Sequence, residues 1–184
     1  PIPVACEIVQ ALQTLVTRRI DVFDPVVLTV SQISAGTTTN VIPESARLLG
    51  TLRSTSEEAR ERAQEGIRRL ATQIAAAHQV EADIVVVNGY PVTVNEAEFS
   101  GFVRSVAKDL LGADAYLDMP APMMGAEDFS CVLHRVPGAM VALGVGPTGE
   151  GPRVPVHSNR MLLNEDGMQA GIALHAAVAL RYLE

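Results

Sequence analysis

Between Val4 and Asn88 the apolar residues change period from one segment to the next, and the order of those periods most limits what this chain can fold into. Val4, Ile8, Leu12 and Leu15, with Ala11 among them, recur at helical spacing and make one face. Pro1 and Pro3 suit the first turn of such a helix, where a missing N–H leaves no bond unmade. Residues 26–34 (VVLTVSQIS) are rich in β-branched side chains and predict a strand, which Gly36 and the polar run from Thr37 to Asn40 end. Residues 44–54 (ESARLLGTLRS) predict a second strand, with Ala46, Leu48, Gly50 and Leu52 on one face and Arg47, Leu49, Thr51 and Arg53 on the other. Thr55 and Glu58 match a capping box. The helix it opens runs to about Ala77 with Ala59, Ala63, Ile67, Leu70 and Ile74 on one stripe. Residues 82–88 (ADIVVVN) predict a third strand. Helix, strand, strand, helix, strand becomes the ferredoxin-like βαββαβ unit when one strand is added before Pro1.

The second part reads differently. Gly89, Tyr90 and Pro91 open a connector, and Asn95 with Glu98 caps a helix over about 96–111 that Gly112 closes. Residues 113–127 are irregular. A short helix from Asp128 to about Val136 stops at Pro137 and Gly138, and residues 139–145 (AMVALGV) predict a buried strand. A Gly/Pro loop over 146–155 leads to Val156, His157 and Ser158, and Asn164 caps a final helix over 165–183. So few strands would make a poor sheet alone. The expected division is therefore 1–92 and 93–184, the latter the closing section of a larger α/β domain. A start at Pro1, without Met and inside a predicted helix, suggests a fragment of a longer chain.

Charge and composition exclude some classes. Lys and Arg number 14 against 21 Asp and Glu, a net charge of -7, and the basic residues are scattered. A nucleic-acid partner needs clustered cations instead. No apolar run approaches the roughly 20 residues that span a bilayer, and no secretory signal is read at the start. Cys6 and Cys131 stand far apart without CxxC spacing and are read as thiols of a reducing, cytoplasmic compartment.

Four residues are candidates for chemistry. His157, between a Gly/Pro loop and a capped helix, occupies the kind of loop position that holds metal ligands, although a lone His is more often a plain surface residue. Glu127 and Asp128 stand at a helix start, where acidic side chains are favoured in any case; Asp128 reads as the cap, and Glu127 is free to face a cleft. Arg53 falls on the sheet face opposite Leu48 and Leu52, either solvated or gripping a carboxylate with paired N–H bonds. Asn40, in the turn before the same strand, either donates to that anion or makes an Asx-turn. His78 is read as interacting with the carbonyls of its own helix end, and His134 and His175 as structural.

Taken in order, GTTTNVIPESARLLGTLRS, GYPVTVN, MGAEDF and PVHSNRMLLNEDG resemble the metallopeptidase family of hippurate hydrolase, auxin-conjugate amidohydrolases, N-acyl amino acid amidohydrolases and carboxypeptidase G. The GAEDF form points to the amidohydrolase branch. The resemblance implies an α+β, ferredoxin-like lid that forms homodimers, followed by the closing section of a zinc-peptidase-like α/β catalytic domain. It puts Asn40 and Arg53 on the substrate carboxylate, Glu127 in the acidic loop near the active site, and His157 among the metal ligands. It implies two divalent ions, Zn²⁺ or Mn²⁺, bridged by a water whose proton a glutamate takes. That glutamate, the other ligands and a lid histidine would lie before Pro1, so the chain by itself is expected to be inactive. Two other readings stay open: a non-catalytic dimerisation or interaction module, and a peptidase or carboxypeptidase of the same family.

Overall fold

The computed structural model describes residues 1–147 and 154–184. The protein is a mixed α and β chain in two compact units: Pro1–Thr93 with Ala121–Ser130, and Val94–Pro120 with Cys131–Glu184.

The first unit is built from α1 (Ile2–Arg19), β1 (Val26–Ala35), β2 (Ala46–Ser54) and α2 (Glu57–Ala77). The predicted stripe of α1 is the one it buries: Val4, Ile8, Leu12 and Leu15. The strands pair antiparallel, Val26 opposite Ser54 and Ala35 opposite Ala46. Leu28, Val30 and Leu48 turn one sheet face onto α1 and onto Ile67, Leu70 and Ile74 of α2. A bulge at Ser31 sets Val30 opposite Gly50 and Ile33 opposite Leu48; Val30 packs on the core, while Ile33 is exposed. Gly66 lets α2 approach α1, because a methyl there would lie 2.7 Å from Leu15 Cδ1.

α2 ends at Ala77 as expected, but its cap and the partner of His78 differ from expectation. Its cap is Ser56, not Thr55: Ser56 Oγ accepts the Ala59 N–H at 3.0 Å, while the Thr55 hydroxyl donates to Asp24 at 2.9 Å. Ser56 also donates to Asp24, at 2.6 Å. The helix ends in a Schellman pattern, with Val80 N–H on the Ala75 carbonyl and Gln79 N–H on that of Ala76, both at 3.0 Å. Gln79 therefore takes φ +57, a conformation usually left to glycine. The His78 ring does not reach its own helix end; it pairs with Glu7 of α1 at 2.7 Å.

Residues 82–88 carry the burial alternation of a strand, with Ala82, Ile84 and Val86 half-buried between exposed neighbours. Ile84 packs on the core. No ladder forms among the described residues, so the predicted third strand is an extended segment here. Strand character needs a neighbouring strand to bond, and none pairs with this segment among the described residues.

In the second unit α3 (Ala97–Leu111) is capped by Glu96, whose carboxylate accepts from Glu98 N–H at 2.9 Å and Phe99 N–H at 2.6 Å. Asn95, the expected cap, instead clasps Met140 through that residue's carbonyl and amide, at 2.9 and 2.8 Å. α3 closes at Gly112, with φ +100, and a 3₁₀ turn follows over Ala113–Ala115. The predicted helix from Asp128 to Val136 shrinks to the single turn α4 (Ser130–Leu133). α5 (Gly167–Leu183) meets α3 through the rings of Phe99, Phe102 and Tyr182, 5.6 to 6.0 Å apart. Residues 139–145 run beside α5, with Leu143 against Gly171, but make no ladder and are not a strand here. Residues 148–153 of the Gly/Pro loop lie outside the described residues.

Candidate carboxylate and metal-ligand residues

Strand alternation puts Arg53 on the sheet face away from α1 and α2, opposite Val27 and exposed. Its Nη1 donates to the main-chain carbonyl of Met124. Met124 belongs to the strap 121–130, which clusters with the first unit. Three residues on, Glu127 is half-buried. One of its carboxylate oxygens accepts the Phe129 N–H at 3.1 Å, and its carbonyl accepts the hydroxyl of the fully buried Ser130 at 2.6 Å. Glu127 therefore caps this turn, where the sequence pointed to Asp128. The Met124 carbonyl was not foreseen, since a main-chain oxygen leaves no mark in a sequence.

Asn40 stands elsewhere in the same unit. Its Oδ1 accepts the Thr38 hydroxyl at 3.0 Å. The loop from Gly36 to Pro43 and the first turn of α1 line an open cavity of about 880 Å³ there. This is the Ala35/Ala46 end of the hairpin, whereas Arg53 lies near the Val26/Ser54 end. Seven residues of strand at about 3.3 Å each separate Ala46 from Arg53 by roughly 23 Å. A single carboxylate cannot bridge Asn40 and Arg53 of one copy in this arrangement.

His157 belongs to the second unit. Ser158 N–H closes a turn onto the Pro155 carbonyl at 3.3 Å. His157 is the third residue of that turn, with φ +74 and its ring exposed. Few non-glycine residues adopt this conformation, and strained backbone concentrates at functional positions. Among the described residues no three His, Cys, Asp or Glu side chains gather where an ion could be held. The described residues therefore do not make a metal centre by themselves. Cys6 and Cys131 are both unpaired.

Residues 5–181 match the family model described as peptidase family M20/M25/M40. The chain belongs to that family. It is 36% identical over its full length to IAA-amino acid hydrolase ILR1-like 2 of Arabidopsis thaliana, of which it covers 42%. It is 31% identical over 99% of its length to Thermostable carboxypeptidase 2 of Saccharolobus solfataricus, of which it covers 46%. The YXEP protein of Bacillus subtilis, described as a dinuclear metal binding peptidase from the M20 family, matches the whole chain at a TM-score of 0.80 and 27% identity; 46% of that protein is covered. The chain thus spans less than half the length of these M20 relatives. The mixed α/β architecture, with its two-stranded sheet under two helices, is that of M20 proteins.

Proposed function

We propose that these residues are part of a metal-dependent amidohydrolase that cleaves N-acyl amino acids of the hippurate type into a carboxylic acid and an amino acid. The observation that carries the reading is Arg53, an exposed guanidinium on the uncovered sheet face, bonded to the strap that bears Glu127. A planar guanidinium matches a carboxylate with two parallel N–H bonds, and every N-acyl amino acid carries a carboxylate one carbon from its amide nitrogen. Holding that group fixes the amide in place for attack. Glu127 is the second substrate contact. The hydrolase name of the Arabidopsis relative agrees with this substrate class.

Asn40 is too far along the hairpin to share that anion within one copy. On this reading it serves the site of a second copy, and the protein works as a homodimer through its first unit. The whole enzyme holds two divalent ions, Zn²⁺ or Mn²⁺, with His157 supplying one imidazole; the description of the Bacillus neighbour and the strained turn at His157 support this. The remaining ligands and the general base are assigned to parts of the enzyme outside this chain. Two unpaired thiols agree with a cytoplasmic setting. No described helix is long and apolar enough to cross a membrane.

A carboxypeptidase is the second reading, favoured by the name of the Saccharolobus relative. Both substrates end in a carboxylate beside an amide; they differ in whether the acyl side is a simple acyl group or a peptide. The test is to supply the whole protein with Zn²⁺ or Mn²⁺ and compare N-benzoyl and N-acetyl amino acids with tri- and tetrapeptides. Preferred turnover of the simple acyl compounds is expected. Release of the C-terminal residue from the peptides alone would replace the reading with carboxypeptidase, and no turnover of either would leave an interaction module.

A further inference from the structure

Among the described residues, the bond from Arg53 to the Met124 carbonyl is the one hydrogen bond that reaches residues 119–126. Beyond them the strap is firmly held. Ser130 is fully buried and its hydroxyl is on the Glu127 carbonyl, while the Glu127 carboxylate is on the Phe129 N–H. Met124 is half-buried between the exposed residues Met123 and Gly125. The segment leading to Glu127 thus has one tie, and that tie is the side chain assigned to the substrate carboxylate.

We propose that Arg53 is a positioning residue as well as a carboxylate anchor: Nη1 latches the strap through Met124, and the latch orients both the guanidinium fork and the approach to Glu127. A guanidinium has five N–H donors in one plane. The carbonyl takes one at Nη1, and the Nε–Nη2 edge stays open to two carboxylate oxygens. The neutral carbonyl holds the plane against rotation before the anion arrives, so less rotamer freedom is lost on binding. The strap and the anchor are ordered together, and a change at Arg53 disturbs Glu127 without touching it. The substrate half of this proposal rests on the carboxylate reading above; the latch does not.

The experiment uses the whole protein labelled with ¹³C at methionine methyl groups, and three forms: unchanged, Arg53→Met and Arg53→Lys. Met124 reports the strap, Met123 reports an exposed neighbour, and Met140, clasped by Asn95, reports that the fold is intact. In Arg53→Met the Met124 methyl should become as mobile as that of Met123 while Met140 stays unchanged, and KM for hippurate should rise on the order of 10- to 100-fold. Arg53→Lys keeps one cationic donor but not the fork. It should keep the Met124 signature and still raise KM, separating the latch from the anchor. An unchanged Met124 methyl in Arg53→Met, with KM raised, overturns the latch and leaves the anchor. A mobile Met124 with unchanged KM leaves the latch and overturns the anchor.

Discussion

His157 combines an exposed ring with a backbone conformation that costs a non-glycine residue on the order of 1 kcal/mol or more. If the ring is a metal ligand, two substitutions separate the strain from the ligation. His157→Ala in the whole protein should lower metal content and activity together. His157→Gly should lower both as far, yet relax the turn and leave thermal stability equal or higher. Elemental analysis decides: full metal occupancy in either variant removes His157 from the ligand set. Asp24 supports a second prediction. The hydroxyls of Ser56 and then Thr55 hold its carboxyl below the ordinary value of 3.8. A carboxyl lowered on folding stabilises the fold above its unfolded pKa and loses that contribution as pH falls through the folded value. Glu96, lowered from 4.5 by the Phe99 and Glu98 N–H groups, acts in the same direction. Ser56→Ala should therefore destabilise the first unit by about 1 kcal/mol through the lost cap, and flatten the loss of stability below pH about 4. Thermal melts across pH check this; an acid limb as steep as before contradicts the Asp24 assignment. Among the site residues, the outward face of Arg53 was legible because strand alternation is a one-letter pattern. The Met124 carbonyl was not, because all residues share that atom. The separation of Asn40 from Arg53 was legible, because it follows from the length of the strand predicted over 44–54.

The long helices were legible in body and at their C-terminal ends, and misread at their N-terminal caps. Apolar stripes fix the face of α1 and α2, since burial demands a 3.6-residue period. Caps are decided by which hydroxyl or carboxylate finds a free N–H, and at α2 and α3 the residue next to the expected one won: Ser56 for Thr55, Glu96 for Asn95. In each case the displaced residue found a partner further away, in Asp24 or Met140. The strands show the complementary limit. β1 and β2 pair with each other and are strands, while 82–88 and 139–145 have strand-like sequences and no strand partner among the described residues. Within the hairpin Gly50 is required by close approach, because a methyl there would collide with the Thr29 carbonyl oxygen. The obstacle is backbone, so Gly50→Ala should cost about 1–3 kcal/mol as overpacking does. A melting temperature within error of the unchanged protein would show that the strands can part there.

At the scale of the molecule, the absence of a ligand cluster among the described residues predicts a chain without turnover on its own. The 184 residues purified alone with Zn²⁺ or Mn²⁺ should leave hippurate intact. α5 is apolar nearly all round, with Ile172, Leu180 and Leu183 exposed, and such a surface promotes association. Light scattering should therefore find the isolated chain associated, and a compact monomer would count against that. Selection of substrates by Arg53 through their carboxylate can be read from one comparison in the whole enzyme. It sets kcat/KM for hippurate against kcat/KM for its C-terminal carboxamide, each with and without Arg53→Ala. The unchanged enzyme should prefer the acid by about 10- to 100-fold, the range of a charge-assisted pair, and Arg53→Ala should lower the rate on the acid alone. Equal losses on both compounds, or no loss on either, would contradict that selection.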